Sequence, residues 1–157
     1  KDQWIKGWEI DPNWKGGSQT DGEGTLLEHL EKNLEFCFND VGQRGFPRIG
    51  HADWNDAIDA AGIKHRGESI WLAQALVRSL KMLAEILGWI GQDEKKNQYL
   101  QMAKTMDDRI NDDGWDGGWY VRGFDDDGLV YGSHQDKEGK IFLNTQTRLF
   151  AIGAPTS

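Results

Sequence analysis

The chain has 157 residues, a length typical of one hydrophobic core, and its 38% apolar and 28% charged residues indicate a globular protein. The formal net charge of −8 argues against nucleic-acid binding and against an anionic membrane surface, because no basic stripe is present to neutralise phosphates. Net charge does not exclude a small anion such as phosphate, which can bind to a local cluster of basic side chains or backbone N–H groups.

The cysteine count and the hydropathy of the chain bear on its possible disulfides, metal sites and location in the cell. Cys37 is the only cysteine, which excludes an intrachain disulfide and a cysteine-based zinc site, and no metal site is expected. Cys37 lies in a helical pattern between two phenylalanines and is predicted to be a small core residue. No signal-peptide pattern and no apolar run long enough to cross a bilayer is present, so a cytoplasmic location is expected.

The first half of the chain divides into a loop, a helix and a second loop. Residues 1–23 are rich in Trp, Gly and Asp without a sustained period, which predicts a loop. Thr25 then begins a helix, because its spacing to Glu28 is that of a capping box. Residues 40–50 (DVGQRGFPRIG) are punctuated by Gly and Pro and predict a second loop. The apolar face of this first helix is formed by Leu27, Leu30, Leu34 and Phe38.

Two longer helices follow the segment HADWNDAID. Residues Ser69 to Ile90 carry an apolar stripe so broad that burial on much of the helix surface is expected, with neighbours on two sides. Residues Asp93 to Ile110 form the third helix, with Asp93 as its N-cap. The predicted stripe of the second helix contains Leu72, Leu76, Leu80, Leu83 and Leu87, widened by Ala73, Val77 and Ala84. The inward residues of the third are Tyr99, Met102, Ala103, Met106 and Ile110.

The last third of the chain predicts a hairpin, an extended stretch and a short helix. Residues 119–124 and 129–131 flank an Asp-Gly turn, residues 140–143 look extended, and residues 144–152 open a helix. The run Asp125 to Gly128 is interpreted as a tight turn, since the spacing and the closing Glu of an EF-hand calcium loop are absent. The predicted fold class is therefore mainly all-α, with helix pairs packed in layers and a short β-hairpin insertion.

The densest group of chemically active side chains lies at residues 51–56 (HADWND). Cleaving a glycosidic bond needs a carboxylic acid that is protonated near neutral pH, and Asp56 has suitable neighbours. Trp54 can desolvate it, and Asp53 and Asp59 add negative charge, and both effects raise the pKa of a carboxyl group. The simpler interpretation, which composition alone favours, is that these polar residues only cap turns and helix ends.

Five short motifs occur in this sequence in the same order as in a known enzyme family. Residues 45–56 (GFPRIGHADWND) resemble the GLP-x-x-G-x-x-DWND segment of glycoside hydrolase family 94, the family of cellobiose and chitobiose phosphorylases. Four other stretches agree with that family, over roughly residues 22–152. They are GTLLEH at 24–29, GESIWL at 67–72, GWDGGWYVR at 114–122, and EGKIFLNTQ at 138–146, which is similar to the family's EGKI-x-LNPQ-S-W element.

The resemblance implies an (α/α)6 barrel and a phosphorylase mechanism. Asp56, the second Asp of the DWND segment, would be the single general acid, with Trp54 lining the donor-sugar site and Asp53 also binding substrate. Inorganic phosphate would be the co-substrate and nucleophile, inverting a β-linked disaccharide or oligosaccharide to an α-sugar 1-phosphate. No cofactor is implied, and a second carboxylate is unnecessary because no water has to be activated.

Four further residues are predicted to bind substrate, each with a simpler alternative. Arg122 can meet a sugar or phosphate, or it can be a surface residue. Glu138, Lys140 and Gln146 match an element near the acceptor side, although a turn with a solvated Lys–Glu pair also explains the first two. Two residues are interpreted as bystanders: Glu68 as a first-turn acid favoured by the helix dipole, and His51.

Residues 1–157 are predicted to be a single segment of the barrel domain, because twelve helices are needed and the sequence offers about four. Thr145 and Arg148 replace the Pro and Trp usual in the family, so the last helix is expected to pack or bind differently. The alternatives are an inverting hydrolase, a phosphorylase-like domain of a glucan synthase, or a non-catalytic sugar-binding fragment. A homodimer of the full-length protein is left as an open option.

Overall fold

The computed structural model of this chain describes residues 8–10, 17–19, 24–50 and 58–147, with only the backbone of residues 8–10, 17–19 and 59. The described part is mainly helical, as the sequence predicted. Its helices are α1 (Leu26–Asn39), α2 (Asp59–Gly62), α3 (Ile70–Trp89), α4 (Asp93–Asp113) and α5 (Leu143–Gln146). Its strands are β1 (Trp8–Ile10), β2 (Gly17–Gln19), β3 (Glu68–Ser69), β4 (Gly123–Phe124) and β5 (Val130–Tyr131).

The core lies mainly between α3 and α4, the two longest helices of the described residues. Ser69 begins α3 as an N-cap whose hydroxyl oxygen accepts a hydrogen bond from the Leu72 backbone N–H at 3.2 Å. The predicted stripe of α3 is buried, except that Leu72 is half-buried. It packs on α4, whose buried residues are Tyr99, Ala103, Met106 and Ile110, with Met102 partly buried.

α1 begins at the predicted cap and packs through the predicted face, but its cysteine is not part of the core. The Thr25 hydroxyl accepts from the Glu28 N–H at 3.2 Å, and the Glu28 carboxylate accepts from the Thr25 N–H at 2.7 Å, which completes the capping box. The face that packs against the core is the predicted one, from Leu27 to Phe38. The prediction of a core cysteine was wrong: Cys37 lies outside that face and is exposed.

α4 begins at Asp93 as predicted, but its N-cap lies one residue earlier than the prediction. Gln92 is the cap residue and makes no side-chain cap hydrogen bond, whereas Asp93 is the first residue inside the helix. A carboxylate inside the first turn still interacts favourably with the helix dipole, so Asp93 stabilises the helix end without capping it.

A small antiparallel sheet with the order β3-β4-β5 sits beside the start of α3. The predicted hairpin is confirmed as β4 and β5, with Gly123 opposite Tyr131 and Phe124 opposite Val130. β3 adds a strand that the sequence did not predict, pairing Glu68 with Phe124. The turn between β4 and β5 is tight, as predicted: Gly128 has φ +82° and the Asp125 carboxylate accepts from the backbone of Leu129 at 2.8 Å.

Two further differences concern the ends of the chain. The loop predicted for residues 1–23 contains an antiparallel pair, with Trp8 of β1 opposite Gln19 of β2. The last described helix, α5, begins at Leu143, one residue before the predicted start, and Arg148 lies outside the described residues.

Among the described residues, no helix combines the length and apolarity that a bilayer crossing needs.

Candidate functional site

The three residues predicted to surround the glycosidic bond, Asp53, Trp54 and Asp56, lie outside the described residues, and so does His51. Their roles stay predictions. The structure does describe the chain on both sides of the motif, up to Gly50 and again from Ile58, and this frame decides where the motif is attached to the fold.

The segment before the motif runs along β3 as if it were a further strand. The Ile49 N–H donates to the Gly67 carbonyl at 2.9 Å, and the Ser69 N–H donates to the Pro47 carbonyl at 3.0 Å. Phe46 and Ile49 are 0% and 5% exposed, so their side chains anchor this segment in the apolar interior. Residues 46–49 therefore have a fixed place beside the sheet.

The segment after the motif returns to the same place. Gly62, the last residue of α2, lies so close to Gly50 that an added Cβ would collide with the Gly50 carbonyl oxygen and lie 3.1 Å from the Ile49 Cβ. A Cβ at Gly67 would likewise collide with the Ala61 carbonyl. Glycine is the residue that permits such close backbone approach. The two flanks of residues 51–57 thus lie side by side at the edge of the sheet.

Glu68 ties the loop before the motif to this sheet. Its side chain is 3% exposed, and Oε1 accepts from the backbone N–H groups of Arg44 at 3.1 Å and Phe46 at 3.0 Å. Oε2 accepts a second, shared bond from Arg44 at 3.2 Å. The interpretation of Glu68 as a first-turn acid was wrong, because Glu68 precedes the Ser69 N-cap and lies in β3. The sequence already indicated this, because Glu68 directly precedes Ser69, the predicted start of the helix.

Asp126 performs the same task for the segment after the motif. Its carboxylate accepts from the backbone N–H groups of Lys64 at 2.6 Å, Arg66 at 2.8 Å and Gly67 at 3.0 Å. Burial alone would raise the pKa of this carboxyl group, but the three backbone donors outweigh it and hold the pKa below its usual value of 3.8. The β4–β5 turn therefore anchors residues 64–67.

A cleft of about 750 Å³ lies between these anchored loops. It is lined by Arg44, Arg66 and several carboxylates, of which Glu68 and Asp126 already accept hydrogen bonds from the surrounding loops. Within the described ranges, no group of three or more His, Cys, Asp or Glu side chains is arranged to hold a metal ion. The cleft separates the loop at residues 42–44 from the turn between β4 and β5.

Arg122 lies in the interior, not at the surface. Its side chain is 0% exposed, its Nη1 donates to the Ser69 hydroxyl at 3.0 Å, and its guanidinium lies 5.7 Å from the centroid of the Trp71 ring. The surface alternative is therefore excluded for the described chain. Arg122 connects the sheet to the N-terminus of α3, and its predicted contact with sugar or phosphate stays a prediction.

The residues predicted near the acceptor side are only partly brought together. Glu138 and Lys140 are exposed, and Lys140 Nζ donates to the His134 carbonyl at 3.2 Å. Gln146 is half-buried, and its amide bonds both backbone groups of Tyr120: Nε2 donates to the carbonyl at 2.7 Å and Oε1 accepts from the N–H at 3.3 Å. The Gln146 amide thus fixes α5 to the segment just before β4, which carries Arg122.

Asp116 organises the loop that carries Lys140, a role that sequence reasoning missed. Its carboxylate accepts from the N–H groups of His134 at 2.7 Å, Gly118 at 3.2 Å and Trp119 at 3.2 Å. Burial opposes the charge, but these donors lower the pKa of Asp116 well below its usual range. Trp119 Nε1 then donates to the Lys140 carbonyl at 2.8 Å. The available signal was an Asp directly before two glycines, a pattern typical of a turn.

Comparison with known proteins finds the family that the motifs resemble. Residues 17–156 match the catalytic domain of the glycosyl hydrolase 94 superfamily. A 3-O-β-D-glucopyranosyl-β-D-glucuronide phosphorylase and a solabiose phosphorylase, both from Paenibacillus borealis, are 41% and 34% identical over 85% and 81% of this chain. A cellobionic acid phosphorylase from Neurospora crassa is 32% identical over 83% of it.

These relatives are much longer than this chain, which spans 17% of the length of the first two and 16% of the third. The matched part nevertheless covers most of the present sequence, including every motif discussed above. The chain therefore belongs to the glycosyl hydrolase 94 superfamily and corresponds to part of its catalytic domain.

Proposed function

We propose that this chain is a segment of the (α/α)6-barrel catalytic domain of an inverting phosphorylase that acts on a β-linked disaccharide or short oligosaccharide. The observation that carries the proposal is the match of residues 17–156 to the superfamily's catalytic domain, together with three relatives that are named as disaccharide phosphorylases. The remaining barrel helices and part of the phosphate site would come from chain outside these 157 residues.

In the proposed reaction, the Asp56 carboxylic acid donates its proton to the glycosidic oxygen as the bond from that oxygen to the anomeric carbon breaks. A phosphate oxygen attacks the anomeric carbon from the opposite face, which inverts the β-linkage and yields an α-sugar 1-phosphate. The proton leaves with the shortened acceptor. Phosphate is already an anionic nucleophile, so the mechanism requires one catalytic carboxylate and no cofactor.

The described frame supports this assignment because a general acid works only when its geometry is held. Both flanks of residues 51–57 are anchored on one sheet edge, through Phe46 and Ile49 on one side and through Asp126 on the other. We propose that Trp54 and Asp53 line the donor-sugar site beside Asp56.

We further propose that Arg122, Glu138, Lys140 and Gln146 contribute to the sugar and acceptor subsites. Glu138 and Lys140 are exposed and therefore available for direct contact. Arg122 is buried and the Gln146 amide already bonds the Tyr120 backbone, so these two would act on substrate mainly by shaping the wall of the site.

The test uses the full-length protein that contains this chain, incubated with and without inorganic phosphate. The substrates are 3-O-β-D-glucopyranosyl-β-D-glucuronide, solabiose, cellobionic acid and N,N′-diacetylchitobiose. We expect phosphate-dependent formation of an α-sugar 1-phosphate from at least one β-linked sugar, observed by ³¹P and ¹H NMR. Phosphate-independent release of reducing sugar would indicate a hydrolase, and binding without turnover would indicate a sugar-binding module; either result contradicts the proposal.

A further inference from the structure

We propose that Glu68 is a positioning residue for the general acid: it holds the loop at residues 42–46 and thereby sets where the motif segment leaves the sheet. This inference rests on the proposed function of Asp56. The inference goes beyond that function by assigning a role in the reaction to Glu68, which lies twelve residues after Asp56 and outside the DWND motif.

The hydrogen bonds of Glu68 are directed at one short stretch of backbone. Both carboxylate oxygens accept from the Arg44 N–H, at 3.1 and 3.2 Å, and Oε1 also accepts from the Phe46 N–H at 3.0 Å. The backbone of Glu68 bridges to Arg48 in an antiparallel pairing. Side chain and main chain of one residue therefore hold alternate residues of the chain that leads into the motif.

The buried position of the carboxylate makes these bonds consequential. A carboxylate that is 3% exposed needs hydrogen-bond donors, and the loop supplies two backbone N–H groups, of which that of Phe46 is buried. The Arg44 guanidinium instead lies over the Phe124 ring, 4.2 Å from its centroid. Phe46 stacks on the same ring at a centroid distance of 6.0 Å. The loop is thus fixed from both its polar and its apolar side.

Gly42 shows how closely the loop is fitted around this carboxylate. A Cβ at position 42 would collide with the Glu68 Cγ and lie 2.8 Å from Oε1. The φ angle of Gly42 lies outside the left-handed range, so the requirement for glycine comes from the neighbouring side chain and not from the backbone conformation.

The experiment compares Glu68→Met and Glu68→Gln in the full-length protein on two substrates. One is the natural disaccharide, whose leaving oxygen must be protonated; the other is a 2,4-dinitrophenyl β-glycoside, whose leaving group departs without a proton. Methionine removes both acceptors at similar volume, whereas glutamine keeps an oxygen at the Oε1 position that accepts from both N–H groups.

We expect Glu68→Met to lower kcat for the disaccharide at least about tenfold more than kcat for the dinitrophenyl glycoside, since proton donation contributes about 10²- to 10⁴-fold only where a proton is needed. Glu68→Gln should retain most of the disaccharide turnover. The matched control, Glu85→Met at an exposed carboxylate of α3, should leave both rates unchanged.

A second measurement keeps the inference testable if Glu68→Met folds poorly. Gly42→Ala alone should reduce disaccharide turnover, because the new Cβ displaces the carboxylate. In the Gly42→Ala/Glu68→Ala double variant the collision is gone, so the double variant should be no slower than Glu68→Ala alone. Strictly multiplicative losses would show that the two residues do not act through the same contact and would overturn the inference.

The remaining outcomes are equally decisive. An equal fall of both rates in Glu68→Met, or a Glu68→Gln variant as slow as Glu68→Met, would mean that Glu68 does not act through hydrogen-bonded positioning of the acid. Failure of the proposed function is seen separately, as a wild-type protein without phosphate-dependent turnover of any substrate.

Discussion

The helical pair α3–α4 and the loops around the β3–β5 sheet are held together by different physics. Between the helices, many apolar side chains share the stabilisation, and residues such as Leu80, Leu87 and Met106 are fully buried. In the loops, single polar side chains bind several backbone N–H groups at once, as Glu68, Asp126 and Asp116 do. The helices are stabilised by burial of area, the loops by satisfied hydrogen bonds.

This difference predicts how each region tolerates change. A core with distributed contacts loses stability in proportion to the atoms removed, while a loop held by one carboxylate loses several hydrogen bonds with one substitution. The loops are also the part of the molecule that borders the motif. Variants there should change catalysis at a smaller cost in folding free energy than variants in the helices.

The largest effect on stability is expected from Leu80→Ala in α3. Leu80 is completely buried between the helices, and removing its side chain should lower the free energy of unfolding by about 2–5 kcal/mol, through lost transfer energy and the cavity left behind. Urea unfolding followed by circular dichroism measures it. Met82→Ala is the control, because Met82 is exposed on the same helix and should change stability by less than about 0.5 kcal/mol. Equal losses would mean that the α3 face is assigned wrongly.

A smaller effect is expected from Asp126→Ala, which removes the acceptor of three backbone N–H groups and should lower the free energy of unfolding by about 1–3 kcal/mol at pH 7. Because the folded-state pKa of Asp126 is depressed, its contribution is fully present above the ordinary pKa of 3.8. The contribution is lost as the pH falls through the still lower folded pKa. The difference in unfolding free energy between wild type and Asp126→Ala should therefore shrink between pH 5 and pH 2.5, and a constant difference would contradict the account.

The smallest effect is expected at the start of α1. Thr25→Ala removes the hydroxyl that caps the helix and should lower the free energy of unfolding by about 1 kcal/mol, as is typical of an N-cap. Thr25→Ser keeps the hydroxyl and is the matched control. The melting temperatures of both variants are compared with that of wild type. If Thr25→Ala and Thr25→Ser have the same melting temperature, the hydroxyl cap is not the source of the stabilisation.

The same contrast explains which parts of the fold could be predicted from sequence. Apolar periodicity predicted α3 and its buried face, and the Thr25–Glu28 spacing predicted the capping box, because both signals are local. Cys37 was misplaced, since its neighbours in sequence are apolar although it lies outside the packed face. The pair β1–β2 was missed, because strands of three residues are too short to show a sustained period.

Motifs were enough to propose the residues of the site, but the contacts that hold the surrounding loops could not be predicted from the sequence. Asp126 binds residues about 60 positions earlier in the chain, and Glu68 binds residues more than 20 positions earlier, so no local pattern could pair them. The burial of Arg122 also depends on such distant packing, because its partner Ser69 is 53 positions away. The DWND motif, in contrast, is a local signal, and its resemblance to the family predicts Asp56 as the acid.

The measurement that tests the central claim most directly is the turnover number of Asp56→Asn in the full-length protein, with phosphate and a β-linked disaccharide. Asparagine keeps the size of the side chain but has no proton to donate, so we expect kcat to fall by at least about 10²- to 10⁴-fold while disaccharide binding, measured by calorimetry, stays near wild type. A folded Asp56→Asn protein with the wild-type kcat would show that another group donates the proton, and would contradict the account.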